Sequence, residues 1–293
     1  MKNLIRLISF YLNLSRRAYI THKLQKLYAW KKPIKPYAFI RVCNEIKTIH
    51  ASLHSILPCV KGGVIGFNSC TDGSKEYILD FCKKHPQFTP VEYPYDVIPG
   101  CDERYKENNI PLNNRLDTYY NFVWEKLPKE EWIIKIDADH IWLPKYLTML
   151  CKLPLRKKDF IILNRINIHC ENNTCYINKE NPMTEVGDSW ILYNSGNIKF
   201  KFQRGWNDEN TFFAWEYLPQ PKRNRIYGVL ANFHFPIVKS QRSVFDSKQW
   251  IKIKDFDSKE FIIKNKMHNR IPEEFLDEKF ILENFNKFNE NSD

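Results

Sequence analysis

The sequence predicts an α/β protein with a mostly parallel sheet and helices on both faces of that sheet. Across residues 36–150, apolar strand-like runs alternate with amphipathic helix-like runs in the order βαβαβ and then αβ, which is typical of a doubly wound sheet. From residue 151 the pattern changes to strand-like runs separated by turns, which indicates a smaller antiparallel sheet. Two helical runs end the chain, which at 293 residues is long enough to bury a full core.

The elements of the first half follow from hydrophobic periodicity. The run 37–43 is mostly apolar, as a buried parallel strand requires. In the next run Ile46, Ile49 and Leu53 recur at helical spacing, and Pro58 ends the predicted helix. The later runs predict strands at 62–68, 88–97 and 131–139, and helices at 72–85 and 113–127.

The second half is predicted to be mostly extended, with strands at 159–170, 175–178, 189–194, 198–202 and 226–236 and helices near 258–268 and 273–286. No internal repeat divides the chain. We therefore expect an N-terminal arm over residues 1–35 and a single domain over residues 36–293. Within that domain we distinguish a first half, a second half and the C-terminal helices, at 36–150, 151–257 and 258–293.

Most of the net charge lies in the arm. The formal net charge is +11, and nine lysines and arginines in residues 1–35, with no acid among them, supply +9 of it. Leu4, Ile8 and Tyr11 recur at helical spacing with basic residues mostly elsewhere, which predicts an amphipathic helix. Such a helix either lies in an anionic membrane surface or docks on the protein's own core. Its apolar stretch is much shorter than the ~20 residues of a membrane-spanning helix.

Cysteine usage and the N-terminus indicate a cytoplasmic protein. The eight cysteines include no CxxC pair, so we expect reduced thiols rather than a zinc site. No cleavable signal peptide is visible. A protein that binds nucleic acid through the basic arm is a weaker alternative, because the aromatic residues are not interleaved with basic ones on a sheet face.

Two aspartates one residue apart, Asp137 and Asp139, end the predicted strand 131–139. Side chains two apart in a strand point to the same face, so the two carboxylates would project together. Adjacent carboxylates repel each other unless a cation lies between them, and Mg²⁺ or Mn²⁺ takes such oxygen ligands together with phosphates. The alternative is a polar strand end or a helix cap. The predicted position of the pair at the carboxyl end of a parallel sheet, where ligands bind, favours a metal site over these alternatives.

Polar residues also follow the first two predicted strands. Asn44 and Glu45 come directly after the first, and Asp72 and Gly73 lie in the turn before the second helix. At the ligand end of the sheet Asn44 and Glu45 would contact a nucleoside, and the loop with Asp72 would face the nucleotide, with Gly73 permitting close approach. The alternative is that Asn44 and Asp72 only cap helices.

Two further residues have candidate roles. His234 ends an apolar strand, where it is either a satisfied core histidine or a ligand compatible with Mn²⁺. Asp188, with Glu185 nearby, is either a general base or a solvated turn acid.

The runs "AFIRVCNE", "GGVIGFNSCTDGSKEYILDFCKKHPQF", "EEWIIKIDADH" and "NFHFPIVK", taken in order, resemble the bacterial β-1,4-N-acetylgalactosaminyltransferases of lipooligosaccharide synthesis. The resemblance is dense over about residues 36–150 and returns near 186–240. It implies a glycosyltransferase-A (Rossmann-like) fold, a UDP-sugar donor, a Mn²⁺ or Mg²⁺ cofactor and inversion at the anomeric carbon. It also implies UDP-GalNAc as donor and a sialylated galactose of a lipid-linked oligosaccharide as acceptor.

Carried onto this chain, the resemblance implies that residues 36–150 bind the nucleotide sugar and residues 151–257 the acceptor. The site residues it implies are Asp137, Asp139 and His234 for the metal, Asn44, Glu45, Asp72 and Asp137 for the nucleotide, and Asp188 as base. Where many relatives have a Glu-Asp pair, this chain has Gly187-Asp188. The arm would hold the enzyme on the inner face of the cytoplasmic membrane. The main alternative is the same fold and mechanism with another UDP-hexose.

Overall fold

The computed structural model describes residues 31–100, 102–107, 109–154, 156–206, 212–219, 224–238, 245–265 and 271–288, without the side chains of 185–187 and 224. Residues 1–30, and with them the predicted amphipathic helix of the arm, lie outside the described residues. Within the described part of the chain, no helix has both the length and the apolar character needed to cross a membrane.

The first half forms four parallel strands in the order β3-β2-β1-β4. Their bounds are Tyr37–Val42 for β1, Gly62–Phe67 for β2, Phe88–Glu92 for β3 and Glu131–Asp137 for β4. The helices between them are α1 (Ile46–Ile56), α2 (Ser74–Lys84) and α3 (Leu116–Trp124). This arrangement agrees with the predicted alternation and confirms the parallel, doubly wound first half.

The second half continues the same sheet with antiparallel strands. Strand β8 (Met183–Asn194) pairs with β4 and with the long β6 (Asp159–Glu171), and β11 (Asn224–His234) runs parallel to β6. The short β5 (His140–Trp142) pairs antiparallel with β11, and helix α4 (Pro144–Leu150) follows it. The remaining elements are β7 (Thr174–Asn178), β12 (Trp250–Lys252), α5 (Ser258–Lys264) and α6 (Glu278–Asn286). The smaller antiparallel sheet is the hairpin of β9 (Lys201–Trp206) and β10 (Phe212–Tyr217).

Helices cover both faces of the sheet because alternate residues of each strand are apolar on opposite faces. In β1, Ile40 packs in the same core cluster as Ile49 of α1 and Leu147 of α4. Its neighbour Phe39 packs on the other face with Trp124 of α3. The two C-terminal helices are also present, and they close over the aromatic end of β11.

Among the strands whose ends differ from the prediction are β3 and β4. Strand β3 ends at Glu92 instead of residue 97, shortly before Pro94, which has no N–H for a further sheet bond. Strand β4 ends at Asp137, so Asp139 lies in the turn that joins β4 to β5. The prediction that the two aspartates project together from one strand is therefore wrong.

Candidate functional site

A cavity of about 580 Å³ opens at the carboxyl ends of β1 and β4. This is the edge of an open parallel sheet where ligands bind. Its wall includes the residues that follow β1, Asp137 at the end of β4, Asp139 in the turn after it, part of α3, and residues of β8, β10 and β11. Its charged and polar lining residues include Arg41, Asn44, Lys135, Asp137, Asp139, Asp188 and His234.

Asp137 is neutralised by cations of the protein itself. Its carboxylate accepts hydrogen bonds from Arg41 Nη2 at 3.0 Å and from Lys135 Nζ at 3.3 Å. Burial acts to raise the pKa of Asp137, but the charges of Lys135 and Arg41 outweigh it and lower that pKa to about 2. The side chain of Lys135 is only 5% exposed, so the one lysine of this apolar strand is an internal counter-ion.

Asp139 meets His234, although the two residues lie 95 positions apart in the sequence. Strand β5 pairs with β11 in a register that brings His140 opposite His234, directly beside the turn that holds Asp139. The Oδ2 atom of Asp139 lies 2.9 Å from Nε2 of His234. Both side chains are buried. The pairing of the two strands therefore builds a carboxylate and imidazole site at the cavity wall.

The hydrogen bonds of Asn167 assign the tautomer of His234. The amide nitrogen of Asn167 donates to the backbone carbonyl of Asn181, so its Oδ1 atom is the acceptor that faces His234 Nδ1 at 2.6 Å. Nδ1 therefore carries a proton, and in the neutral ring Nε2 presents a lone pair toward the Asp139 carboxylate. Two electron-rich atoms that face each other in this way suit a metal cation between them, with Asn167 orienting the ring.

His140 is a third potential ligand that the sequence analysis missed. Ligand atoms of Asp139, His140 and His234 all lie within 4.8 Å of one another. His140 is fully buried, and neither ring nitrogen has a hydrogen-bond partner among the described residues. Burial, followed by the effect of His234, lowers the pKa of His140 to about 3, so the ring is neutral and able to ligate. Its position directly after the second aspartate was the available signal. These three donors fit a divalent transition-metal ion.

Asp188 lies at the cavity wall between two cations. Its carboxylate accepts hydrogen bonds from Lys135 Nζ and Arg165 Nη1, both at 2.8 Å. Lys135 is the main cause that holds the pKa of Asp188 well below its ordinary value, and Arg165 adds to it. A carboxylate with a lowered pKa accepts a proton weakly. Asp188 as general base stays a prediction, and these ion pairs weigh against it.

Asn44 and Glu45 line the cavity, as the sequence analysis expected of nucleotide-facing residues. Asn44 does not cap a helix, because its Oδ1 accepts the N–H of Thr71 at 2.7 Å and so ties the two loops together. Asn44 adopts the left-handed conformation, with φ of 54°. Contact of Asn44 and Glu45 with a nucleotide stays a prediction.

Asp72 is not among the residues that line the cavity. One carboxylate oxygen accepts the N–H of Ile46 at the start of α1, and the other accepts the N–H of Ser74 at the start of α2, each at 3.0 Å. Gly73, with φ of 95°, permits this tight turn. Asp72 therefore caps two helices at once, which is the alternative that the sequence left open, and its contact with a nucleotide stays a prediction.

Comparisons with known proteins place the chain in a family. The profile of the family described as beta-1,4-N-acetylgalactosaminyltransferase (CgtA) matches residues 2–289. A comparison with curated protein sequences found no match.

Solved structures with some similarity include a glucosyl-3-phosphoglycerate synthase from Mycobacterium tuberculosis, in complex with Mn²⁺, UDP and phosphoglyceric acid. That chain is 13% identical with a TM-score of 0.30, over 50% of this chain and 47% of its own length. A mannosyltransferase from Pyrobaculum calidifontis, in complex with GDP-mannose and Mn²⁺, is 16% identical with a TM-score of 0.30, over 53% of this chain and 45% of its own. This chain thus spans less than half the length of either solved structure.

The family profile extends over nearly the whole chain, including the cavity, the turn with Asp139 and the strand that ends in His234. The protein therefore belongs to the beta-1,4-N-acetylgalactosaminyltransferase (CgtA) family.

Proposed function

We propose that this glycosyltransferase moves N-acetylgalactosamine from UDP-GalNAc to a sialylated galactose of a lipid-linked lipooligosaccharide, forms a β-1,4 linkage and inverts the anomeric carbon. The observation that carries the proposal is the buried cluster of Asp139, His140 and His234 at the cavity on the carboxyl edge of the sheet. A site for a divalent cation at this edge is what a diphosphate-linked donor requires.

Asp139, His140 and His234 would hold the cation. When bound, the ion would supply Lewis-acid stabilisation to the departing diphosphate. Because imidazole nitrogen suits transition metals better than it suits Mg²⁺, which prefers oxygen, we propose Mn²⁺ as the working ion. Asp137 would lie next to these three ligands without being one of them, since its ion pairs with Arg41 and Lys135 already engage both of its oxygens.

The protein's own residues would position the donor around that ion. Asn44 and Glu45 at the end of β1 would contact the nucleoside. Arg41 and Lys135 line the cavity, and their N–H groups that are not bound to Asp137 or Asp188 would donate to the two phosphates. A carboxylate at the wall would take the proton from the acceptor hydroxyl as that oxygen attacks the anomeric carbon.

The basic arm would keep the enzyme on the inner face of the cytoplasmic membrane, where its acceptor would be located. The support is the concentration of positive charge in residues 1–35, since each basic residue near an anionic surface contributes about 1 kcal/mol.

Donor-dependent UDP release tests the proposal. The full chain is supplied with Mn²⁺ and each member of a panel of UDP-hexoses, and UDP-GalNAc is expected to be the preferred donor. Asp139→Ala should lower the rate by at least about 100-fold, a loss on the scale that single catalytic groups contribute. The matched control is Asp80→Ala, because Asp80 pairs with Lys84 on the exposed face of α2. Equal rates in wild type and Asp139→Ala would refute the metal site.

The second candidate is transfer of another UDP-hexose by the same mechanism. A few contacts in the pocket determine which sugar is bound, while the metal and diphosphate site stays the same. The same donor panel distinguishes the two candidates, because preference for a sugar without the N-acetyl group would favour the second.

A further inference from the structure

Glu216 lies on the inward face of the β9–β10 hairpin. In an antiparallel pair, opposite residues share a face, so Ala214 opposite Arg204 and Glu216 opposite Phe202 point the same way. Ala214 is fully buried, and it packs in one cluster with residues of the loop before α3. The other face of β10 carries the exposed rings of Trp215 and Tyr217.

The inward face of β10 borders the reaction cavity. Ala214, which shares this face with Glu216, lines the cavity, and Glu216 lies next along that face, outside the set of lining residues. Arg41 of β1, Lys135 of β4 and Asp188 of β8 are near enough to act electrostatically on the Glu216 carboxylate. Glu216 itself makes no ion pair within 4.0 Å with another side chain of the described part of the chain.

Asp188 and Glu216 thus differ in the ion pairs that their carboxylates already make. Asp188 is held by two cations at 2.8 Å, so each of its carboxylate oxygens already accepts a hydrogen bond from a positive charge. Glu216 is partly buried, and its carboxylate accepts a hydrogen bond from its own backbone N–H but is held by no cation of the described residues within 4.0 Å. A base must have a lone pair free to meet the hydroxyl proton and a basicity matched to the working pH, so Glu216 meets both requirements better than Asp188.

We infer that Glu216 is the general base of the transfer reaction and that Asp188 is a positioning residue that fixes Lys135 and Arg165. This inference rests on the proposed function. As the acceptor oxygen bonds to the anomeric carbon, its proton passes to a carboxylate oxygen of Glu216. The bond between the anomeric carbon and the diphosphate oxygen breaks, and UDP leaves with that electron pair. Glu216 then releases the proton to water.

The charges around Glu216 are consistent with this role. Burial raises the pKa of Glu216 above its ordinary value, against the opposing charges of Arg41 and Lys135. Three other charged groups near the hairpin are engaged elsewhere. Arg204 of β9 donates to the carbonyl of Tyr105, and the ion pair of Arg115 and Asp117 belongs to the start of α3.

The test compares Glu216→Gln, Glu216→Asp and Asp188→Asn in the full chain with Mn²⁺, UDP-GalNAc and sialyllactose as acceptor. Glu216→Gln should lower kcat at least about 100-fold, the usual contribution of a general base, while the Kd for UDP with Mn²⁺ stays within about twofold. A base acts only when deprotonated, so wild-type kcat/KM should fall at acid pH. That fall at acid pH, the acid limb of the pH profile, should be absent in Glu216→Gln and present in Asp188→Asn. Glu216→Asp keeps the carboxylate and should recover part of the rate.

The opposite results would overturn the inference. These are a Glu216→Gln rate within threefold of wild type, an acid limb that survives in Glu216→Gln, or an acid limb abolished by Asp188→Asn. Glu125→Gln, a matched change of an exposed acid that pairs with Lys199, is the control for nonspecific loss. A wild type that turns over no nucleotide sugar would refute the proposed function as well, whereas an active wild type with a fully active Glu216→Gln would refute only the role of Glu216.

Discussion

At the scale of single residues, the histidine that follows the two aspartates bears more directly on metal binding than the first aspartate does. Asp137 has both carboxylate oxygens engaged by Arg41 and Lys135. His140 is completely buried, and its two ring nitrogens have no hydrogen-bond partner among the described residues. Buried polar atoms without a partner are costly, and in native proteins they point to a missing ion or water. We therefore expect the affinity for metal to depend on His140.

Replacing His140 with Phe should lower the affinity for Mn²⁺ at least about 10-fold, because even residues that only orient a metal ligand contribute about 10- to 100-fold. The ring is kept but the nitrogen donors are removed. Isothermal titration of Mn²⁺ in the presence of UDP measures the change.

The matched control is His169→Phe, at a histidine that stacks on Phe245 with ring centroids 4.4 Å apart. This histidine is not part of the three-residue cluster. Equal Mn²⁺ affinity in His140→Phe and wild type would remove His140 from the proposed ligand set.

At the scale of elements, close contact between β2 and α3 fixes the wall of the cavity. Gly66 of β2 faces Val123 of α3, and a Cβ atom at position 66 would lie 2.2 Å from Val123 Cγ2. A β-branched side chain in a helix has one strongly preferred rotamer, so Val123 has little freedom to retreat. Helix α3 also carries Tyr119 and Tyr120 to the cavity. A side chain at position 66 would push this helix outward.

Gly66→Ala should destabilise the fold by about 1–3 kcal/mol, the usual cost of overpacking a core. Urea unfolding followed by tryptophan fluorescence measures it. In the double variant Gly66→Ala with Val123→Ala the clash is relieved, so the loss should be smaller than the sum of the two single losses by about 0.5–3 kcal/mol. Strict additivity of the two changes would contradict this packing argument.

At the scale of the whole molecule, the charge is unevenly distributed. The arm of residues 1–35 supplies +9 of the total +11, so the body is nearly neutral. Attraction between the body and anionic lipid is therefore weak, and any membrane affinity should depend on the arm. Salt should weaken that attraction, because exposed charges are screened within roughly 8 Å at physiological ionic strength.

Deleting residues 2–30 should therefore abolish most binding to vesicles that contain anionic lipid, while UDP release from UDP-GalNAc in solution should change little. Co-sedimentation with anionic and with neutral vesicles, at low and high salt, measures the partition. Unchanged sedimentation of the truncated protein with anionic vesicles would show that the arm is not the membrane contact.

The sequence by itself determined the parallel first half, the helices on both faces and the family, because these depend on local periodicity and on motifs within short runs. Only the tertiary structure decided which acids have counter-ions, since Lys135, Arg165 and Asp188 are far apart in the chain and meet through strand pairing. The same holds for Asp139 and His234, which the β5–β11 register brings together. The sequence pattern also predicted no strand at β10, so it could not indicate which residues of β10 face inward. Local patterns specify elements, whereas register and the end of each strand specify contacts between them, and the site consists of those contacts.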